Sequence, residues 1–180
     1  MTKTANKIIH VAFVLDASTS MTRLASKLVE VTDEQIKFLA KRSEELDVET
    51  RVSIYTFGSR NDIKCVIFDK DVFRLPSIKD LYSAYGNTAL IDATILSQQD
   101  LALTMQKYGE HSFLTFVLTD GEENNSQSYS HQLERLLTSQ GANWSVAALV
   151  PDAKGRRMAI ACGFPEGSVA VWEVSREGLV

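Results

Sequence analysis

The sequence is poor in the features that would mark a specialised class. It has only two cysteines, Cys65 and Cys162, each isolated from the other and from any histidine at zinc spacing. That excludes a disulfide framework and a cysteine-based zinc site, and leaves two buried thiols as the expectation. No apolar run approaches the length of a membrane span. Basic residues are not in excess, and the formal charge of -4 counts against nucleic acid and anionic membrane surfaces as partners. The start of the chain is short and polar, and the apolar run behind it carries no convincing cleavage pattern for a signal peptide, so a cytoplasmic location is expected.

What is present is enough apolar material for one compact domain, 44% of 180 residues. It is organised around the stretch Val11-Ala12-Phe13-Val14-Leu15-Asp16-Ala17-Ser18-Thr19-Ser20-Met21. Five apolar residues in succession read as a strand buried on both faces, as in the middle of a parallel sheet. The run stops on a carboxylate, and hydroxyls follow at alternate positions, Ser18 and Ser20. One charged and two neutral oxygens on a strand-to-helix turn suit a hard cation such as Mg²⁺ or Mn²⁺. The turn lies at the sheet edge where open α/β folds bind ligands.

Along the chain, strand and helix patterns alternate. A strand over residues 8–16 precedes a helix over 21–46, with Leu24, Leu28, Val31, Phe38, Leu39 and Leu46 on one side and Ser20 at the N-cap position. Residues 51–68 read as a hairpin around Gly58-Ser59-Arg60-Asn61-Asp62, with Lys64 guarding an antiparallel edge strand. A helix follows over 89–107, starting at or just after Thr88, with Ala89, Ala93, Leu96 and Leu103 on one face. Then come a strand over 112–119 ending on Asp120-Gly121, a helix over 128–139, a strand over 144–150, a helix over 154–162 and a last strand over 169–174. The expected fold class is α/β: a single, doubly wound, mostly parallel sheet with one antiparallel edge strand and helices on both faces. Two central strands, the first and the fourth, end on Asp16 and Asp120 at one edge, and the loop bearing Thr88 passes over it.

In these words the sequence resembles a von Willebrand factor type A domain over nearly its whole length, and it is similar to the small stand-alone A-domain proteins of bacteria and their phages. The resemblance rests on the apolar strand before Asp16, Met21 directly after Ser20, the segment Gly86-Asn87-Thr88-Ala89-Leu90 with Asp92, and Leu118-Thr119-Asp120-Gly121. It implies a complete metal-ion-dependent adhesion site of Asp16, Ser18, Ser20, Thr88 and Asp120. In that family Mg²⁺ or Mn²⁺ keeps one position open for an Asp or Glu of a protein partner, so the implied function is recognition, with no bond broken. The family pattern often closes with a helix after the last strand. Residues 175–180 have no room for one, which leaves an apolar groove beside the first helix for a partner or a second copy, a homo-oligomer.

Other readings stay open at this level. Ser18 and Ser20 could cap a helix, Asp120 could end a strand, and Glu122, Glu123, Asn124 and Asn125 could be solvated surface rather than a rim around the metal. Tyr85 and Tyr129 could contact a partner or pack. Within the family, an accessory subunit of an ATPase-driven, chelatase-like complex is the alternative, and a structural protein with a vestigial site is another. A phosphohydrolase of the haloacid dehalogenase type also places an Asp after an apolar first strand, but it needs an acid where Ser18 stands. No Gly-rich phosphate loop is present, and His10, His111 and His131 lie outside the site motifs, so an enzyme is not expected.

Overall fold

A computed structural model describes residues 7–104 and 109–172. The strands are β1 (Lys7–Asp16), β2 (Glu49–Phe57), β3 (Ile63–Asp71), β4 (Glu110–Leu118), β5 (Trp144–Val150) and β6 (Val169–Val171). The α-helices are α1 (Ala25–Leu46), α2 (Leu90–Ala102), α3 (Ser130–Ser139) and α4 (Ala153–Ala161). They form one six-stranded sheet in the order β3-β2-β1-β4-β5-β6, parallel throughout except for the antiparallel β2–β3 pair. The expected α/β class, with its mixed sheet and antiparallel edge strand, is the observed one.

The apolar run in β1 exists because the strand has helices on both sides. Val11, Phe13 and Leu15 pack with Leu28, Val31 and Ile36 of α1. The alternate residue Val14 faces a second cluster, with Leu90 and Ala93 of α2, Leu133 of α3 and Ala159 of α4. Each of these large side chains contributes roughly 1.5–3 kcal/mol on burial. The order of strands also reverses at β1. The chain leaves β1 through α1 toward β2 and leaves β4 through α3 toward β5, on opposite faces of the sheet. The two connections part above the adjoining strand ends, which is the switch point where open sheets leave a crevice.

Several boundaries differ from the sequence reading. The first helix does not begin at residue 21: a 3₁₀ turn, Thr19–Leu24, comes first and α1 starts at Ala25. Ser20 is therefore inside that turn and caps nothing. Phe38 and Leu46 are exposed rather than on the packed face, which uses Leu28, Val31, Thr32, Ile36 and Ser43. In α2, Ala89 at the N-cap position and Ala93 are buried as expected, Leu96 and Leu103 are exposed, and the rest of the buried stripe is Leu90, Ile91, Thr94, Ser97, Gln98 and Leu101. The helix stops at Ala102; residues 105–107 lie outside the described residues, as do 173–174 of the expected last strand and the segment 175–180. Cys162 is buried, but Cys65 is exposed on β3, because an edge strand keeps one side open to solvent. Lys64 is exposed there too and pairs with Asp62 at 3.0 Å.

Candidate functional site at the C-terminal edge of the sheet

Parallel pairing of β1 with β4, with Leu15 opposite Leu118, brings the two strand ends together. Asp16 has no exposed surface. Its Oδ1 accepts from the Ser18 amide at 2.9 Å and from the Ser18 hydroxyl at 2.6 Å, while Oδ2 accepts from the Thr119 hydroxyl at 2.7 Å. The Ser18 hydroxyl also lies 3.1 Å from that of Ser20. Ser18 is buried and Ser20 exposed, so the three residues step from the core to the surface. Met21, fully buried in the α1 cluster, pins the 3₁₀ turn that sets this staircase.

Asp120 is half-buried one residue beyond Thr119, and its Oδ1 accepts from the Glu122 amide at 2.9 Å. Its charge acts directly on Asp16. Burial pushes the Asp16 carboxyl up to about 6; hydrogen bonds from Ser18 and Thr119 oppose the rise and the Asp120 charge adds to it. No described Lys, Arg or His forms an ion pair with either carboxylate. Ser20 and Asp120 line one open cavity of 540 Å³, walled by the 3₁₀ turn on one side and the start of α4 on the other.

Thr88 is buried, and its position is set by the loop that follows Asp120. The Thr88 amide donates to Asn124 Oδ1 at 2.9 Å, and its carbonyl accepts from the amides of Asn124 at 2.9 Å and Asn125 at 3.1 Å. The neighbouring Ala89 amide donates to the Gly58 carbonyl at 2.8 Å. The structure thus links Asp16, Ser18 and Ser20 by hydrogen bonds, sets Asp120 against Asp16 electrostatically, and ties Thr88 to the Asp120 loop through its backbone. Among the described residues no hydrogen bond joins the Thr88 side chain to the other four. No group of three or more His, Cys, Asp or Glu side chains able to hold a metal occurs among the described residues either. The predicted donor set contains only two carboxylates, the rest being hydroxyls.

Four residues with structural duties here escape the sequence reading. Thr119 satisfies the second oxygen of Asp16, and the Tyr82 hydroxyl donates to the Asp16 carbonyl. Glu123, read as rim or solvated surface, is a brace: it accepts from the amides of Ile91 at 3.0 Å, Asn125 at 2.9 Å and Ser126 at 3.1 Å. Asp92, in the first turn of α2, accepts from the amides of Gln127 at 2.8 Å and Ser128 at 2.9 Å. Asp92 at the start of α2 and Glu123 in the loop after Asp120 therefore fasten the two segments to each other, and only the hydroxyl-or-acid character of such residues was visible beforehand. Tyr85 and Tyr129 are both strongly exposed.

Comparison with solved structures bears on this architecture. The SpRpn10 VWA domain superposes with a TM-score of 0.57 at 14% identity, over 94% of this chain and 90% of that one. The fold is that of a von Willebrand factor type A domain. An aerotolerance-related membrane protein from Bacteroides fragilis NCTC 9343 matches with a TM-score of 0.59 at 18% identity, over 93% of this chain and 92% of that one. The A-domain fold is also matched in longer chains. Proximal thread matrix protein 1 from the mussel byssus gives a TM-score of 0.59 at 20% identity, and the pilus adhesin SpaC from Lactobacillus rhamnosus GG gives 0.70 at 12%. This chain spans 42% and 28% of their lengths. Neither a protein-family model nor a curated protein sequence matches. No helix among the described residues is long and apolar enough to cross a membrane.

Proposed function

We propose that the chain is a metal-dependent protein-interaction module in which Asp16, Ser18, Ser20, Thr88 and Asp120 hold Mg²⁺, or Mn²⁺ on the same ligands, and a partner's Asp or Glu completes the coordination. The observation that carries this is Asp16: a fully buried carboxylate, dressed only by hydroxyls and one amide, beside a second carboxylate and without a cationic side chain. A buried charge is stable only when paired or bound to a metal. The donor set fits a hard divalent ion. Two oxygens bound at right angles to Mg²⁺ at about 2.1 Å stand roughly 3.0 Å apart; the hydroxyls of Ser18 and Ser20 stand 3.1 Å apart.

The chain's own residues divide the work. Ser18 donates its proton to Asp16 and so leaves its lone pairs free on the side of Ser20. Thr119 holds Asp16 from behind. Neutral hydroxyl ligands leave much of the ion's charge unscreened, and the bound ion supplies an electrophilic site for an anionic group. The result is recognition without catalysis. That two of the structural neighbours are by name a pilus adhesin and a byssal matrix protein is in keeping with such a role.

The test is a thermal melt of chelator-stripped protein with and without saturating Mg²⁺ or Mn²⁺. At about a hundredfold excess over Kd the ion adds roughly 2.7 kcal/mol, on the order of 5–10 °C for a domain of this size. Asp16→Ala and Asp120→Ala abolish that shift. An unshifted parent protein counts against the reading.

A further inference from the structure

Asn124 is exposed, yet its side chain is committed to the backbone of a buried residue. The carboxamide Oδ1 accepts from the Thr88 amide at 2.9 Å, and the Asn124 amide donates back to the Thr88 carbonyl at 2.9 Å. Asn125 adds a second amide to the same carbonyl at 3.1 Å. The residues on either side of Thr88 are held by a third loop, the one after β2. There the Asn87 amide donates to the Ser59 hydroxyl at 3.1 Å and the Ala89 amide to the Gly58 carbonyl at 2.8 Å. The ring closes where the Arg60 amide donates to Asn125 Oδ1 at 2.8 Å. Both backbone polar groups of Thr88 are thus occupied, while no hydrogen bond among the described residues uses its hydroxyl.

The residue type at 124 follows from its neighbours. The Thr88 amide needs an acceptor, and Asp120, Glu122 and Glu123 already place three acids just before it in the loop. A carboxamide supplies the oxygen without a fourth negative charge.

We propose that Asn124 is a positioning residue of the candidate metal site: its side-chain oxygen clasps Thr88 to the loop that carries Asp120, so that these two ligands are presented as one preassembled unit, and Asn124 itself is no ligand. The inference rests on the metal reading above and adds a residue on which the strength of that site depends. Thr88 and Asp120 come from different connections of the sheet. Holding their segments together before the ion arrives removes an ordering cost from binding.

The test uses the full chain. In chelator, hydrogen exchange of ¹⁵N-labelled protein reads the clasp directly. The Thr88 amide is expected to exchange about tenfold faster in Asn124→Ala than in the parent, and at the parent's rate in Asn124→Asp, which keeps the accepting oxygen. Calorimetric titration with Mg²⁺ reads the consequence: Asn124→Ala is expected to weaken binding roughly tenfold. Thr88→Val removes the hydroxyl and weakens binding in its own right. Adding Asn124→Ala to it costs nothing further, a coupling that a general loss of stability would not produce. An unaltered Thr88 exchange rate in Asn124→Ala, a Mg²⁺ affinity unaltered by either single variant, or the same loss on the Thr88→Val background overturns the inference and leaves the metal site standing. A parent protein that takes up no Mg²⁺ overturns the metal reading, and the positioning role with it.

Discussion

His10 and Asp16 sit near opposite ends of β1, both almost fully buried, and the chain treats them in opposite ways. At the His10 end every charge is answered. His10 Nε2 shares a hydrogen with His111 Nδ1 at 2.9 Å, Nδ1 lies 3.5 Å from Asp69, and Asp69 is paired with Arg51 at 3.0 Å. The ring is stacked on Phe113, which stacks on Trp144. Burial lowers the His10 pKa, the His111 and Arg51 charges add to the drop and Asp69 opposes it, so the neutral imidazole is favoured within the cluster. At the Asp16 end a carboxylate is buried beside another and answered only by two hydroxyls and one amide. The same strand thus carries one polar network that completes itself and one that is short of a cation. Burial alone does not mark a functional group; an unbalanced charge does.

Breaking either end should therefore move stability in opposite directions. His10→Ala removes a stacked ring with its contacts to His111 and Asp69, and is expected to cost about 2–4 kcal/mol by urea denaturation. Asp16→Asn keeps the shape and removes the unanswered charge. In chelator at pH 7.5 it is expected to gain about 1–3 kcal/mol over the parent, and to lose the metal-induced shift. A loss in chelator would mean that the carboxylate is already balanced without an ion.

The pH dependence sharpens the contrast. Folding raises the Asp16 pKa from 3.8 to about 6, so between those values the folded protein holds the extra proton. Metal-free stability conferred there is full below the lower value and lost as pH rises through about 6. At His10 the folded value is lowered, so the unfolded chain holds the extra proton, and stability falls as pH drops through 6.5 and below. The two slopes oppose each other in the parent. In Asp16→Asn only the histidine slope is left, and denaturation midpoints from pH 5 to 7.5 should rise more steeply with pH than the parent's. The smallest effect belongs to Tyr82→Phe, which removes one hydrogen bond to the Asp16 carbonyl and should cost about 0.5–1.5 kcal/mol without abolishing the metal shift.

The sheet was legible because its central strands are written twice over, in apolar runs too long for a one-sided strand and in the acids that end them. Val11 to Leu15 and Phe113 to Leu118 fix both the burial and the edge at which Asp16 and Asp120 emerge. The 3₁₀ turn was not legible, because Met21 and Leu24 continue the periodicity of the helix behind them and only Ser18–Ser20 geometry separates the two. The braces were hidden for another reason. Glu123 reaches Ile91 and Asp92 reaches Gln127 and Ser128, contacts between segments that the sequence separates and only the assembled loops bring together. The His10–His111 pair was hidden likewise, since it depends on the β1–β4 register.

One close contact gives the cavity its mechanical character. Gly121 has φ +87°, and a Cβ there would collide with the Gly155 carbonyl; a Cβ on Gly155 would lie 2.7 Å from the Asp120 carbonyl. The loop that carries Asp120 and the helix that carries Lys154 are seated backbone on backbone, with no side chain between them to deform. Any side chain at either position would push the Asp120 loop away from α4 and widen the cavity that both line.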